Sequence, residues 1–231
     1  MRYLGLWLVL LSMLLAPASP AMAWFGQSKQ IEELRQKAEA GDAEAAFRLG
    51  QRYDQGDGVR TDLAQAATWY RLAAEKGNVD AQNSLGSLYL DGAGVPKDFA
   101  QALDWFTKAS AGGNVDAVVS LAYMYDMGFG VPEDNPKAVA LYEQAADKGS
   151  VRAMLNLGAT YAFGDKDIEK DQVRGYMWLE IARYLTLTSP DKTVKWRIRG
   201  ALDKLKETMP ADEQREGDKR ASDWLQAHKA K

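Results

Sequence analysis

The unit that decides the fold is residues 79–114, which read VDAQNSLGSLYLDGAGVPKDFAQALDWFTKASAGGN. The residues that follow, 115–150, repeat this unit without a gap and share 14 of its 36 residues. Self-similarity at a fixed period of about 20–50 residues is typical of repeat architectures, in which stacked units bury a continuous core. The sequence therefore predicts a repeat protein.

The same period extends over four units of the 231-residue chain. Within each unit an alanine, a leucine and a tyrosine stand four residues apart, so they share one face of a helix. These positions are Ala45, Leu49, Tyr53, Ala81, Leu85, Tyr89, Ala117, Leu121, Tyr125, Ala153, Leu157 and Tyr161. The pattern predicts that the first part of every unit is an amphipathic helix.

Glycines and capping residues predict a second helix in each unit. A glycine ends one helix and the polar residue after it caps the next, at Asp42, Asn78, Asn114 and Ser150. In the first three units a Gly-x-Gly-Val loop then precedes a second cap, at Asp62, Asp98 and Asp134. No segment shows a strand pattern. We therefore predict an all-α fold, a right-handed α-solenoid of helix–turn–helix repeats with a helical C-terminal cap.

The repeats occupy residues 31–188. They divide into a half unit and four full units, near 31–41, 43–78, 79–114, 115–150 and 151–188. The fourth unit lacks the second loop glycine, and its loop is one residue longer. Two helical segments after Pro190 lie outside the period and form the cap, residues 189–231. Terminal units are usually atypical because they present a polar outer face.

The first 23 residues have the form of a signal peptide. A basic start precedes an apolar run, Leu4–Leu15, and Ala21-Met22-Ala23 is a small-x-small cleavage site. As a helix the run would span about 18 Å, too short for a hydrocarbon core of about 30 Å. We expect cleavage after Ala23, a linker over 24–30, and export to the periplasm or, alternatively, to the extracellular space. An uncleaved interfacial anchor is the other possibility.

Composition excludes several kinds of chemistry. The 29 Lys and Arg residues against 32 Asp and Glu residues leave a net charge of −3, without the basic character of a nucleic-acid-binding protein. The absence of cysteine excludes disulfides and thiolate sites, and a single histidine makes a histidine-rich metal site or a catalytic triad hard to build. We predict no catalytic residue, no cofactor and no metal ion, and hence no enzyme.

Other conspicuous residues are interpreted as structural. The Gly-x-Gly-Val loops lack the third glycine and the preceding strand of a dinucleotide site, so we expect them to be turns. Trp69, Trp105 and Trp178 occupy the packing position of the second helix and are expected in the core. The remaining candidates are expected to be hydrated surface groups: Asp54, Asp91, Asp126 and His228.

The repeated residues resemble the Sel1-like repeat, a branch of the tetratricopeptide-type α-solenoids. The matching pattern is Ala-x3-Leu-Gly-x2-Tyr-x2-Gly-x-Gly-Val-x2-Asp, then Ala-x2-Trp-Tyr/Phe-x2-Ala, nearly whole in the first two units. The resemblance implies an interaction scaffold, since exported bacterial members act as adaptors in envelope assembly, as signalling regulators or in host contact. The family shares no catalytic residues. Its members credited with β-lactam binding depend on disulfides, which this chain lacks.

The first helices of such stacks line the concave face, where we expect a partner to bind. Exposed apolar groups with Tyr and Met suit a protein or peptide partner. The candidate residues, mixed polar in the early units and apolar in the later ones, are Phe47, Gln51, Asn83, Ser87, Leu90, Asp91, Val119, Tyr123, Met127, Leu155 and Phe163. Alternatively, the C-terminal helices fold back and bury Val119, Leu155 and Phe163 as core.

The sequence thus predicts a non-enzymatic protein–protein interaction scaffold of the bacterial cell envelope. We expect a protein or peptide partner, no nucleic acid, and no stable membrane insertion once the signal peptide is removed. Two alternatives stay open. One is a periplasmic regulator that inhibits or modulates a membrane sensor. The other is a weak β-lactam-binding or hydrolase-like protein, against which stand the missing cysteine and the lack of a serine beside a plausible base.

Overall fold

The computed structural model describes residues 20–228, with side chains from residue 29 onward. Within this part of the chain eleven α-helices are joined by short turns, and no strand beyond one isolated bridge is present. In chain order they are α1 (Pro20–Glu39), α2 (Ala43–Gln55), α3 (Leu63–Glu75), α4 (Val79–Asp91), α5 (Phe99–Ala111), α6 (Val115–Met127), α7 (Asn135–Asp147), α8 (Val151–Phe163), α9 (Gln172–Leu185), α10 (Lys192–Lys206) and α11 (Ala211–His228). The predicted all-α repeat fold is confirmed.

Helices α2 to α9 form four helix pairs, one pair to each unit. Each pair packs on the next through its second helix, so that α3 contacts α4, α5 contacts α6 and α7 contacts α8. The leucines of the repeated pattern fill the spaces between these helices, and Leu49, Leu85 and Leu157 are fully buried. The result is a stack of pairs with three clusters of buried residues, and the half-buried side chains Tyr89 and Leu141 each pack against two of these clusters.

The predicted capping residues hold the start of each helix. Asn78 Oδ1 accepts the backbone N–H of Ala81 at 2.8 Å, and Asp98 Oδ1 accepts those of Ala100 and Gln101 at 3.0 Å. Equivalent bonds are made by the other caps, Asp42, Asp62, Asn114, Asp134 and Ser150. Because a free helix terminus leaves its first N–H groups without acceptors, these side chains set where each helix begins.

A hydrogen bond between backbone groups closes the loop inside every unit. The N–H of the second cap donates to the carbonyl of the tyrosine that ends the repeated pattern, as in Asp98 to Tyr89 at 3.0 Å. The fourth unit keeps this bond, Asp171 to Tyr161 at 2.7 Å, although its loop is one residue longer. The extra residue is taken up by a tight bridge between Asp165 and Ile168. The unit therefore preserves its helix pair while changing its loop.

Helix α1 begins before the repeats. The segment 24–30, expected as a linker, is helical and continuous with the half unit at 31–41. Helix α1 packs against α2 in the manner of a second helix, with Ile31 and Ala38 buried. The predicted signal peptide lies outside the described residues, apart from 20–23 at the start of α1.

The C-terminal helices α10 and α11 both pack against α9. Ile198, Leu202 and Leu205 of α10 are buried. The backbone of α11 approaches the ring of Tyr176 so closely that a Cβ at Gly217 would lie 2.5 Å from it. These helices cover the outer side of the last second helix, where another repeat would otherwise stack.

Candidate partner-binding surface

The first helices α2, α4, α6 and α8 carry all eleven candidate residues, which together are termed the first-helix face. Their position follows from helix geometry, because a residue two places further along points about 200° away around the axis. In α6, for example, Leu121 is buried whereas Tyr123 and Met127 are exposed. The repeated Ala–Leu–Tyr spacing places one side of each first helix in the core, and it therefore also determines which side chains face away from the core.

Three large apolar side chains are exposed on this face. Tyr123 is 40% exposed, Met127 47% and Phe163 62%. Earlier units carry polar residues at the equivalent positions: Gln51 and Ser87 in place of Tyr123, and Gln55 and Asp91 in place of Met127 and Phe163. The apolar surface is thus concentrated on the third and fourth units.

Val119 does not reach this surface, contrary to its place among the candidates. Its side chain is only 2% exposed and belongs to the core cluster that includes Tyr142 of α7 and Met154 of α8. The reason is that this side of α6 packs into the cluster formed with α7 and with α8 of the next unit. The other candidates are half-buried or exposed, including Phe47, Asn83, Leu90 and Leu155.

The alternative in which the C-terminal helices cover this face is wrong for Phe163. Helix α11 packs on α9, and α10 reaches only the edge of α8. There Lys204 Nζ lies 5.2 Å from the centroid of the Phe163 ring. A cation at this distance holds the ring by a cation–π contact without removing it from solvent. Phe163 therefore stays available on the surface.

Two further aromatic residues support Tyr123. The Phe129 ring lies edge-on to Tyr123 with centroids 5.7 Å apart and stacks on Phe99 at 4.8 Å. These three residues are termed the aromatic patch. Sequence reasoning missed Phe99 and Phe129, although Phe129 stands where the other Gly-x-Gly loops have Asp57 and Ala93. Its position between two glycines was the signal that could have found it.

Charged side chains of both signs occur around the aromatic patch: Asp126 stands three residues after Tyr123 on α6, and Lys97 Nζ lies 5.8 Å from the centroid of the Phe99 ring. Burial raises the pKa of the Asp126 carboxyl, and the negative charges of Asp165 and Glu133 raise that pKa further. Lys166 Nζ lies 3.8 Å from Glu133 and offsets part of this charge. Among the described side chains no group of three or more Asp, Glu or His residues is arranged to hold a metal ion. The face thus combines exposed apolar groups with charged residues of both signs.

The structure also shows where the three tryptophans and His228 lie. Trp105 and Trp178 are buried and Trp69 is half-buried, as expected of core residues. The expectation for His228 is wrong, because its ring stacks on Trp224 with centroids 3.8 Å apart and its Nδ1 lies 2.8 Å from the Trp224 carbonyl oxygen. A carbonyl can only accept a hydrogen bond, so Nδ1 carries the proton.

These features define a class of protein: an all-helical repeat solenoid whose first helices present an apolar surface. The Sel1 repeat family matches residues 43–78, 79–114, 115–150 and 151–185. Since these ranges cover more than half of the chain, the chain belongs to the Sel1 repeat family. Sel1 repeat proteins generally mediate protein–protein interaction.

Two solved structures agree with this assignment. A Sel1 repeat protein from Oxalobacter formigenes is 30% identical, with a TM-score of 0.63, over 78% of each chain. A Sel1 repeat protein from Klebsiella pneumoniae is 22% identical, with a TM-score of 0.55, over 83% of this chain and 99% of that one, and shows the fold alone.

The curated relative is the secretory immunoglobulin A-binding protein EsiB from Escherichia coli O6:H1. It is 51% identical over 43 residues, which are 19% of this chain and 9% of EsiB. The match thus covers a small part of EsiB, about one repeat in length. In the part of the chain that the structure describes, none of the helices combines the length and the apolar character needed to cross a bilayer.

Proposed function

We propose that the chain is a non-enzymatic interaction scaffold of the bacterial cell envelope, which binds a protein or peptide on the first-helix face of its third and fourth units. The observation that carries the proposal is the exposure of Tyr123, Met127 and Phe163 on first helices, where the earlier units have polar residues. Exposed apolar groups that lie together on one face are typical of protein interaction sites.

The aromatic patch supplies anchors of the kind that dominate protein interfaces. Tyr123 is fixed by its edge contact with Phe129, so little side-chain entropy is lost when a partner covers it. Aromatic side chains with few rotatable bonds are enriched among the residues that carry most of the binding energy. The remaining half-buried candidates, such as Leu90 and Leu155, would add complementarity around these anchors.

The charged residues of this face indicate which charge the partner carries. Asp91 is exposed on the same face, and Asp126, three residues after Tyr123 on α6, lies near two further carboxylates, Glu133 and Asp165. Complementary charge favours the correct partner and accelerates association. We therefore expect a partner segment that places an apolar side chain on Tyr123 and Met127 and carries Lys or Arg beside it.

Location in the envelope is supported by the predicted signal peptide. If cleavage occurs after Ala23, the protein recovered from a periplasmic or extracellular fraction begins at Trp24. Amino-terminal sequencing of the protein from separated cell fractions measures this directly. A protein that begins at Met1 in the cytoplasmic fraction would contradict the location without contradicting the scaffold.

Photo-crosslinking from the surface tests the binding face. The bait is the predicted mature chain, Trp24–Lys231, with a crosslinking side chain at Tyr123 or, as a control, at Thr107 on the exposed side of α5. We expect a partner to be labelled from Tyr123 alone, and that partner is then identified and purified. Equal labelling from both positions would contradict the proposed face.

Paired substitutions test the same face with the purified partner. The change Tyr123→Glu with Met127→Glu should weaken binding about tenfold or more, as the loss of central anchors does, while the melting temperature changes little because both side chains are exposed. The matched control is Thr107→Glu with Ala111→Glu, two exposed residues of α5 at the same spacing. The proposal fails if both double variants bind as the unchanged chain does.

A further inference from the structure

Positive charge is concentrated on one helix of the C-terminal cap. Helix α10 has six basic residues and one acidic residue in 15 positions, whereas the whole chain has a net charge of −3. The basic residues are Lys192, Lys195, Arg197, Arg199, Lys204 and Lys206. With a balance of 6 − 1 = +5 on α10, the rest of the chain carries −8. Such segregation on a single helix marks a surface that faces negative charge.

An exposed tryptophan stands at the centre of this basic surface. Trp196 is 75% exposed, more than any other large hydrophobic side chain among the described residues. The buried residues Ile198, Leu202 and Leu205 lie on the opposite side of α10 and hold the helix against α9. Trp196 therefore takes no part in the packing of α10. It is exposed because the buried residues on the opposite side fix the orientation of the helix.

The arrangement of the cations around Trp196 follows from helical spacing. Lys192 and Arg199 stand four residues before and three after Trp196, so they flank it along one side of the same face. Arg197 lies about 100° round the helix on the other side. The structure shows no carboxylate within ion-pair distance of these three cations among the described side chains. The positive charges of these three residues are thus not neutralised by a neighbouring carboxylate.

A shallow groove continues the basic surface between α9 and α10. It has a volume of about 470 Å³ and is lined by Arg183, Lys195, Arg199 and Lys206, with Glu180 buried at its base. Glu180 pairs with Arg183 at 2.6 Å and with Lys206 at 3.4 Å. Lys195 Nζ donates to the Leu187 carbonyl oxygen at 2.7 Å, and no described carboxylate pairs with Lys195 or Arg199, so both positive charges stay available to an anion in the groove.

We propose that the exposed face of α10 is a docking surface for an anionic lipid bilayer, with Trp196 at the interface and the cations of α10 on the headgroup phosphates. Tryptophan favours the boundary between water and hydrocarbon, because its ring is apolar and its N–H is polar. Clusters of Lys and Arg on a helix are attracted to anionic lipid. Leu187, exposed in the turn before α10 and beside the groove, adds a second apolar contact.

The shape of the surface favours a membrane over an extended peptide. Trp196 projects from the convex side of a single helix, and the groove beside it is lined mainly by charged residues. A peptide needs a recess in which to bury its own side chains. A bilayer, in contrast, accepts a projecting aromatic ring surrounded by cations.

Vesicle sedimentation tests the proposal with the predicted mature chain, Trp24–Lys231. The vesicles contain either phosphatidylcholine alone or phosphatidylcholine with about one third phosphatidylglycerol. We expect binding to the anionic vesicles only, and weaker binding as salt is raised, because salt screens the attraction to lipid phosphates. Equal binding to both kinds of vesicle, or to neither, would overturn the proposal.

Matched variants separate the α10 face from overall charge. Lys192→Gln with Arg197→Gln and Arg199→Gln should weaken binding by about a hundredfold, since each cation near an anionic surface contributes about fivefold. The control triple, Arg60→Gln with Lys76→Gln and Lys148→Gln, removes the same charge from exposed residues elsewhere and should bind normally. Equal loss in the two triples would overturn the assignment to α10.

The tryptophan has its own variant and its own control. Trp196→Ala should weaken vesicle binding about tenfold, as expected for an aromatic side chain that is withdrawn from an apolar environment, and should leave the melting temperature unchanged. Trp196→Tyr, which keeps an aromatic ring with a polar end at the same position, should retain most of the vesicle binding. Unchanged binding by Trp196→Ala overturns the proposal. So does crosslinking of position 196 to an acidic protein in the absence of vesicle binding, which would assign the face to a protein partner.

Discussion

At the scale of single residues, Gly94 shows why the loop glycines cannot be exchanged freely. Its φ is +72°, and a Cβ built on it would lie 2.2 Å from the carbonyl carbon of Leu63 in the preceding unit. The obstacle is backbone rather than a side chain that can move aside. Gly113 also has a positive φ, +92°, but a Cβ there would meet nothing within 4 Å.

Substitution of the two glycines separates the cost of a positive φ, which both share, from the cost of a collision with backbone, which affects Gly94 alone. Gly113→Ala should lower the free energy of unfolding by about 1 kcal/mol, which is the cost of a left-handed conformation for a residue with a Cβ. Gly94→Ala should lower it by about 3 kcal/mol, because the collision with Leu63 adds to that cost. Urea unfolding of both variants measures the difference. Equal losses would mean that the repeats separate at this contact without penalty.

At the scale of the helix, capping by Asp98 decides where α5 begins. Its carboxylate accepts two backbone N–H groups, and its own N–H donates to the Tyr89 carbonyl. Asp98 therefore closes the loop and starts the helix at once. Asp62 makes the same bonds, whereas Asp134 accepts one N–H, that of Lys137, because Pro136 has none to donate.

Removing the capping side chain of Asp98 should lower the stability of the protein. Asp98→Ala should lower the free energy of unfolding by about 1 kcal/mol, because two N–H groups lose their acceptor. Asp98→Asn keeps an acceptor oxygen and should cost much less. Both values come from urea unfolding followed by far-ultraviolet circular dichroism. If the asparagine variant loses as much as the alanine variant, the carboxylate acts through charge and not as a cap.

At the scale of the whole molecule, buried tyrosines make the stability of the protein depend on pH. Tyr161 Oη donates to Glu143 Oε1 at 2.9 Å, and Arg174 pairs with the same carboxylate. Burial, followed by the bond to Glu143, raises the pKa of Tyr161 from its ordinary value of 10.0 to about 12. Burial also raises the pKa of Tyr70, Tyr142 and Tyr176.

These shifts predict alkaline unfolding. Below pH 10 the tyrosines are protonated in both states and the shifts have no effect. Above pH 10 the unfolded chain loses phenolic protons that the folded chain retains, so stability falls as pH rises toward 12. The urea midpoint should therefore decrease over this range, and phenolate absorbance should appear together with unfolding. In Tyr161→Phe the decrease should be less steep; an identical decrease would exclude Tyr161 as a contributor.

The repeat predicted most of the fold because its signals are local. Helix caps such as Asn78, loop glycines and the Ala–Leu–Tyr spacing act within a few residues, and the structure has each of them in the expected role. Burial at the first-helix face was harder to predict. Val119 and Tyr123 stand four residues apart on one helix, yet one is 2% exposed and the other 40%.

The sequence by itself determined the period, the helix pairs and the family, since these depend on spacing along the chain. Tertiary structure alone decided which candidates reach solvent, because that depends on how neighbouring units and the C-terminal helices pack. It buried Val119, left Phe163 exposed beside Lys204, and stacked Phe129 on Phe99. Contacts between residues distant in the chain leave no periodic trace in the sequence, and they can be read only from the folded molecule.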